Sequence, residues 1–296
     1  MEPSLSAGGT PTIGQGVQDK LDAPRTPSDA LPLLAICIPS YNRIGLLVPL
    51  VRKILSLDGP FEICVHIDGS TDGTQDALRE INDPRLIVTS AKNQGKTSSL
   101  IAAVRASRAV FVMPFDDDDE IDLAGLRAAL QRCNEPLPSH IGGFIYHMSG
   151  EAGDWSQAPF PERISNYIKL RADQGINGDK KEIVRREIFK ECAYDPKGAY
   201  RRAPTSLTWA RIAIQYDAYC LNENLGAKHY LSGGITANIT RVKLKNAYPM
   251  YLVYRVHVIA FFRGRYRSTR YFLRALVRMI GYGVLSLKEI GRGRTS

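Results

Sequence analysis

No window of this 296-residue chain offers about 18 uninterrupted apolar residues, so no membrane-spanning helix is expected. The N-terminus lacks the apolar core of a secretory signal, and none is expected there. Cysteine is scarce and unpatterned: Cys37, Cys64, Cys133, Cys192 and Cys220, with no CxxC pair. That argues against a disulfide framework or a zinc site and for a reducing compartment. His66, His147, His229 and His257 lack mutual ligand spacing, and they read as core or surface residues. The first apolar run is followed by Pro39-Ser40-Tyr41-Asn42, so the GxGxxG of a Rossmann dehydrogenase is missing. Gly95-Lys96-Thr97 suggests a P-loop nucleotidase, but Ser90 stands where the phosphate cradle needs its first glycine. Acidic residues are nearly absent from the end of the chain. From Arg241 onward there are thirteen Lys/Arg and one acid, Glu289, a balance of 13 − 1 = +12. The whole chain carries +9, so the first 240 residues sum to 9 − 12 = −3, and the basic surplus belongs to the tail.

What is present is a series of short apolar runs, each ending in polar loop chemistry. Residues 1–31 are rich in Gly, Pro, Ser and Thr and cannot offset their ordering entropy, so they read as a disordered segment. Strands are predicted over 33–38, 61–67, 85–89 and 110–115. Helices built on Leu46 to Leu55, Ala77 to Ile81 and Leu100 to Val104 lie between them. Strands that are apolar throughout, joined by helical crossovers, predict an α/β fold with a mostly parallel central sheet flanked by helices. Ligands of such sheets bind where strands end. Residues 39–43, 68–74, 93–96 and 116–120 fall at four such ends. Further on, a strand is predicted over 142–148, helices over 181–190 and 207–219, and a basic amphipathic helix or helix pair over 251–287.

The densest feature is Asp116-Asp117-Asp118-Asp119-Glu120, directly after the strand that ends at Phe115. Adjacent carboxylates repel by roughly 1 kcal/mol per pair at about 4 Å even in water. One reading is a solvated acidic turn at the start of the helix near Ile121. The other is a site for a hard divalent cation, Mg²⁺ or Mn²⁺, which takes oxygen ligands and leaves positions for substrate phosphates.

Ile36-Cys37-Ile38-Pro39-Ser40-Tyr41-Asn42-Arg43, then Val65-His66-Ile67-Asp68-Gly69-Ser70-Thr71-Asp72-Gly73-Thr74, then Asn93-Gln94-Gly95-Lys96, then the Asp run, resemble the family 2 glycosyltransferases of GT-A fold in order and spacing. The resemblance is closest over residues 33–130 and looser to about 240. It implies a GT-A domain over 32–240; the charge pattern sets off a basic amphipathic helical tail over 241–296. The resemblance also implies inverting transfer of a sugar from a nucleotide-diphosphate donor to a hydroxyl acceptor, with Mg²⁺ or Mn²⁺. By register, Asp119 matches the metal-ligating Asp, Asp118 the neighbour that faces ribose or metal, and Asp116 the leading Asp of the pattern. Asp117 fills a variable, solvated position. Asp68 matches the Asp that accepts from the donor base, Pro39, Ser40 and Tyr41 frame that base, and Lys96 approaches the donor phosphates.

The chain departs from the pattern at the general base. The family places a carboxylate four residues before the tryptophan of a Leu-x-Trp-x-Arg-Ile helix, and here that position is Thr205. Either the register slips, or another acid such as Asp179 takes the role, or activity is weak. Asp179 also reads as the N-cap of a following helix. A non-catalytic domain that binds nucleotide sugar or glycan as a scaffold is the alternative. The basic, aromatic tail fits an anionic membrane surface better than nucleic acid, since the rest of the chain is mildly acidic. The expected setting is therefore peripheral, on the cytoplasmic face of the cell membrane, with a lipid-linked or surface-polysaccharide acceptor. Trp155 and Trp209 are expected to be buried.

Overall fold

The structure, a computed structural model, describes residues 31–150, 158–196, 200, 203–228 and 243–293. The reading of a disordered head, and those of Trp155 and His229, fall outside the described residues. The compact unit begins at Pro32.

The first half alternates as the apolar runs require: β1 (Leu34–Ser40), α1 (Ile44–Leu55), β2 (Phe61–Ile67), α2 (Thr74–Arg79), β3 (Leu86–Ser90), α3 (Lys96–Ala106) and β4 (Phe111–Pro114). β1 pairs in parallel with both β2 and β4, and β2 with β3. β1 is buried on both faces, and its two faces differ in bulk. Leu34, Ile36 and Ile38 meet the Leu47, Leu50, Val51 and Ile54 stripe of α1, while Ala35 and Cys37 let α3 approach through Ala103 and Val104. Each fully buried Leu or Ile contributes about 1.5–3 kcal/mol.

The second half is mixed. It comprises β5 (Glu120–Ile121), α4 (Leu123–Cys133), β6 (Ile141–Ser149), β7 (Ile164–Ser165), α5 (Tyr167–Ala172), β8 (Lys180–Arg185), α6 (Arg186–Cys192), α7 (Ser206–Gln215) and β9 (Asp217–Ala227). The sheet runs β3-β2-β1-β4-β8-β6-β9-β5, with β7 on β9. β8 lies antiparallel between β4 and β6. This corrects the first half of the expected helix over 181–190, whose second half is α6. Lys and Glu favour helix weakly, and pairing on both edges, with Ile183 and Val184 buried on opposite faces, outweighs that preference. The helix expected over 207–219 ends at Gln215, and β9 takes the remainder.

Two further helices, α8 (Ala247–Phe262) and α9 (Thr269–Gly293), follow. α8 is a packing helix rather than a basic amphipathic one: Leu252 and Val253 meet Leu207 of α7, and Ala260 joins the α3 face of the core. Arg265, in the turn between the two, donates to the Ala213 and Tyr216 carbonyls at 2.8 and 3.0 Å and to Asp217 at 2.6 Å. α9 is amphipathic and leaves Leu273, Val277, Ile280, Val284 and Leu287 exposed.

Candidate functional site

The chain leaves β1 toward β2 and β3, then returns to β4 on the other side of β1. That reversal opens a crevice beyond the carboxyl ends of β1 and β4, the usual ligand position in such sheets. Ser40 ends β1, and the Asp run follows β4.

The rim is fixed by short bonds between loops. Asn42 holds a left-handed φ of 51°. Its amide donates to Ser70 Oγ at 2.9 Å, and its side-chain oxygen accepts from the Thr71 amide at 2.8 Å. Asp72 accepts from the Ile44 amide at 3.0 Å. Asp68 is buried at the end of β2 and accepts from the Gln94 and Gly95 amides at 2.7 and 2.9 Å. Gly69 has φ +77°, and a Cβ there would lie 2.9 Å from the Asn93 nitrogen, so the turn needs glycine. Tyr41 stands exposed at the rim, and Pro39 lies within β1.

The carboxylates divide into two sets. Asp117 turns back to β1, where Ser40 Oγ donates to it at 2.6 Å and Arg43 at 2.7 Å. It is buried, which corrects the expectation of a solvated side chain, and burial pushes its pKa up. Asp116, Asp118 and Asp119 converge instead, each offering an oxygen within 4.8 Å of the others. The reading as a solvated cap of the next helix fails as well, since α4 is capped by Asp122, which accepts from the Ala124 amide.

Four cations face these four acids. Lys96, exposed at the first position of α3, pairs with Asp116 at 2.8 Å. Arg43 reaches Asp118 at 2.8 Å. Lys181 reaches Asp119 at 3.0 Å, its ammonium 4.3 Å from the centre of the Phe115 ring. Lys228 lies 3.7 Å from Asp116 and 3.9 Å from Asp119. Burial raises the Asp116 pKa, but Lys96, Lys181 and Lys228 outweigh it and hold the carboxyl well below the usual range. Burial alone would lower the pKa of Lys228, but Asp119 and Asp116 outweigh it and raise it.

The donor set fits a hard divalent ion. An octahedral ion with bonds near 2.1 Å has opposite ligands about 4.2 Å apart. The three oxygens, within 4.8 Å of one another, can turn onto one such ion by side-chain rotation.

Asp179 sits half-buried in the turn before β8, close enough to raise the pKa of Lys228 and to act on Lys180. No helix follows it, so the N-cap reading is overturned by β8. Thr205 begins α7 without a side-chain cap bond. The segment before it is tied to the start of α3 by Thr97 Oγ1, which donates to the Ala203 carbonyl at 2.5 Å, one residue from Lys96. Trp209 is buried edge-on to Phe189.

Sequence reasoning gave no role to Arg43, Lys181 or Lys228. Arg43 lies in the polar loop after β1, but its pairing with acids more than seventy residues later carries no local signal. Lys181 was hidden by the helix reading of its segment. Lys228 carries no local signal.

Comparison with known proteins follows the same lines. The model of the family described as "Glycosyl transferase family 2" matches residues 35–193. A chondroitin synthase of Escherichia coli is 34% identical over 110 residues, 36% of this chain and 16% of that protein. The GalNAc(5)-diNAcBac-PP-undecaprenol beta-1,3-glucosyltransferase of Campylobacter jejuni is 27% identical over 125 residues, 40% of each chain. This chain thus spans well under half of either relative. Among solved structures, residues 1–349 of TarS from S. aureus superpose with a TM-score of 0.59 at 17% identity, covering 84% of this chain and 71% of that one. The mannosyltransferase PcManGT of Pyrobaculum calidifontis, in complex with GDP-Man and Mn²⁺, gives 0.54 at 17%, covering 93% and 81%. Both likenesses establish the GT-A type of fold.

Proposed function

This chain belongs to glycosyl transferase family 2, and on that premise we propose that it moves a sugar from a nucleotide-diphosphate donor to a hydroxyl acceptor, with inversion at the anomeric carbon. The observation that carries the reading is the convergence of Asp116, Asp118 and Asp119 beside Lys96 at the β1/β4 crevice.

Asp118 and Asp119 would hold Mg²⁺ or Mn²⁺, with Asp116 as their neighbour. Once bound, the cation supplies positive charge for the diphosphate as the leaving group departs. The chain's own residues do the rest. Asp68 faces the donor base, with a lone pair left on each oxygen beyond its bonds to the loop. Pro39, Ser40 and Tyr41 frame that base. Lys96 exchanges Asp116 for a donor phosphate. Asp179 takes the proton of the acceptor hydroxyl as its oxygen bonds to the anomeric carbon, and the bond from that carbon to the phosphate oxygen breaks. Asp179 is favoured because it lies close to Lys228, which itself contacts Asp116 and Asp119.

We place the acceptor on a lipid-linked or surface-polysaccharide intermediate, and the protein on an anionic membrane at the cytoplasmic face. The exposed apolar row of α9 and the basic tail support this setting. Among the described residues no helix is long and apolar enough to cross a membrane.

Release of nucleoside diphosphate from UDP-, GDP- and dTDP-sugars, with and without Mn²⁺, tests the reading. Turnover with at least one donor, lowered by roughly 10²-fold or more in Asp119→Asn, is expected. Thr205 favours a second reading, a domain that binds nucleotide sugar without turning it over, and binding without product in every combination would establish it.

A further inference from the structure

A second polar site lies away from the Asp cluster, between α5, α8 and α9. It is a pocket of about 220 Å³ lined by Arg171, Asn177, Tyr254, Tyr271, Arg274 and Arg278. That is space for several waters at about 30 Å³ each. None of the lining residues is acidic. Among the described residues no Asp or Glu forms an ion pair with any of the three arginines. Arg171 Nε is buried without a hydrogen-bond partner, an arrangement that native structures rarely leave unanswered.

Two of the arginines are held in place. Arg171 lies 4.4 Å over the Tyr167 ring. Arg278 lies 5.5 Å over Tyr254, whose ring stacks on Tyr282 at 5.7 Å. Guanidinium groups fixed against aromatic faces lose little freedom on meeting an anion, and their forked donors match phosphate oxygens. Buried neighbours register the positive field. His257 is pushed down to about 4 by burial first, then by Arg171 and Arg278. Lys180 is pushed down to about 8 by burial first, then by Arg171. Glu182, the carboxyl within electrostatic reach of Arg171, is itself driven toward its neutral form by burial.

The pocket also has a defined neighbour. Arg270, Arg274 and Arg278 form one row of α9, and the exposed Leu273, Val277, Ile280, Val284 and Leu287 form the adjacent row. A soluble anion has no use for that second row. An amphiphile carrying a phosphate matches both.

We propose that this pocket binds the phosphate monoester headgroup of a membrane lipid, whose second charge three arginines answer better than a diester's single one, with the apolar row of α9 seated in the bilayer interface beside it. The proposal rests on the membrane setting given above and adds to it a specific headgroup site.

The test is co-flotation of the full chain with phosphatidylcholine vesicles containing either phosphatidic acid or phosphatidylserine, matched in surface potential. Binding to phosphatidic acid is expected to be roughly tenfold tighter, the worth of one extra charge-assisted hydrogen bond. Arg171→Gln should bring the two vesicle types to parity. Arg278→Gln, on the exposed helix, should do the same in case loss of the Tyr167 stack impairs folding. Val277→Ser with Ile280→Ser should weaken both vesicle types and keep the ratio. Parity in the wild type, or a ratio that survives both arginine changes, overturns the proposal. Heat from inorganic phosphate without vesicles, together with parity on vesicles, assigns the pocket to a soluble phosphate ester and overturns the lipid assignment. Donor turnover without vesicles should be unchanged in every variant. A failed pocket therefore leaves the transferase reading standing, and an inactive enzyme still reports the ratio.

Discussion

Replacing Lys181 with methionine gives the most instructive perturbation of the site. Lys181 and Asp119 form a pair at 3.0 Å with side chains 7% and 2% exposed. Removing one partner of a buried pair leaves an uncompensated charge and costs about 3–5 kcal/mol. Lys228 lies 3.9 Å from the other Asp119 oxygen and offsets part of this, so the lower end, about 3 kcal/mol, is expected. For a chain of this size that lowers Tm by about 6–10 °C. The same change frees an Asp119 oxygen for a cation. Millimolar Mn²⁺ should then raise the Tm of Lys181→Met more than that of the wild type, since binding to the folded state stabilises it by mass action. Differential scanning calorimetry with and without Mn²⁺ measures both effects. A variant that melts within about 1 °C of the wild type refutes the claim that this pair is buried and coupled.

Gly69→Ala should destabilise the fold by about 1–3 kcal/mol, through its φ of +77° and the close Asn93 nitrogen, as read by urea unfolding. His257 is held neutral by the fold, with its pKa pushed down to about 4. Between about pH 6.5 and 4 the unfolded chain therefore binds more protons than the folded one, and stability should fall as pH drops through that window, by up to about 3 kcal/mol. His257→Phe should flatten that slope in a pH series of melts, and an unchanged slope would contradict the assignment. Asp179→Asn should lower kcat by about 10²-fold or more with little change in donor affinity if Asp179 is the base. A gain in kcat from Thr205→Asp would instead favour the family's usual position.

The parallel half of the sheet was legible because its strands are apolar on both faces and break into loop chemistry at their ends. The expected strand over 61–67 coincides with β2, and those near β1, β3 and β4 differ by a residue or two at their ends. The antiparallel half was less so. Lys180-Lys181-Glu182 has no strand character of its own, and its β conformation comes from pairing with β4 and β6. At the site, the carboxylates were visible as a run, but their division was not. Whether Asp117 faces β1 or the crevice depends on Ser40 and Arg43, more than seventy residues earlier. Lys228 reaches the cluster only because β9 ends beside β6 and β5, a contact that no local pattern encodes. The tail was read as one basic amphipathic unit, whereas Leu252, Val253 and Ala260 commit its first helix to the core.

Manganese titration of the full chain followed by electron paramagnetic resonance, with and without UDP or GDP, reaches the central claim most directly. Free Mn²⁺ signal should be lost with one-site stoichiometry, more strongly with nucleotide than protein and nucleotide alone account for, and this protein-dependent loss should vanish in Asp118→Asn with Asp119→Asn. Equal Mn²⁺ uptake by the wild type and the double variant would contradict the account.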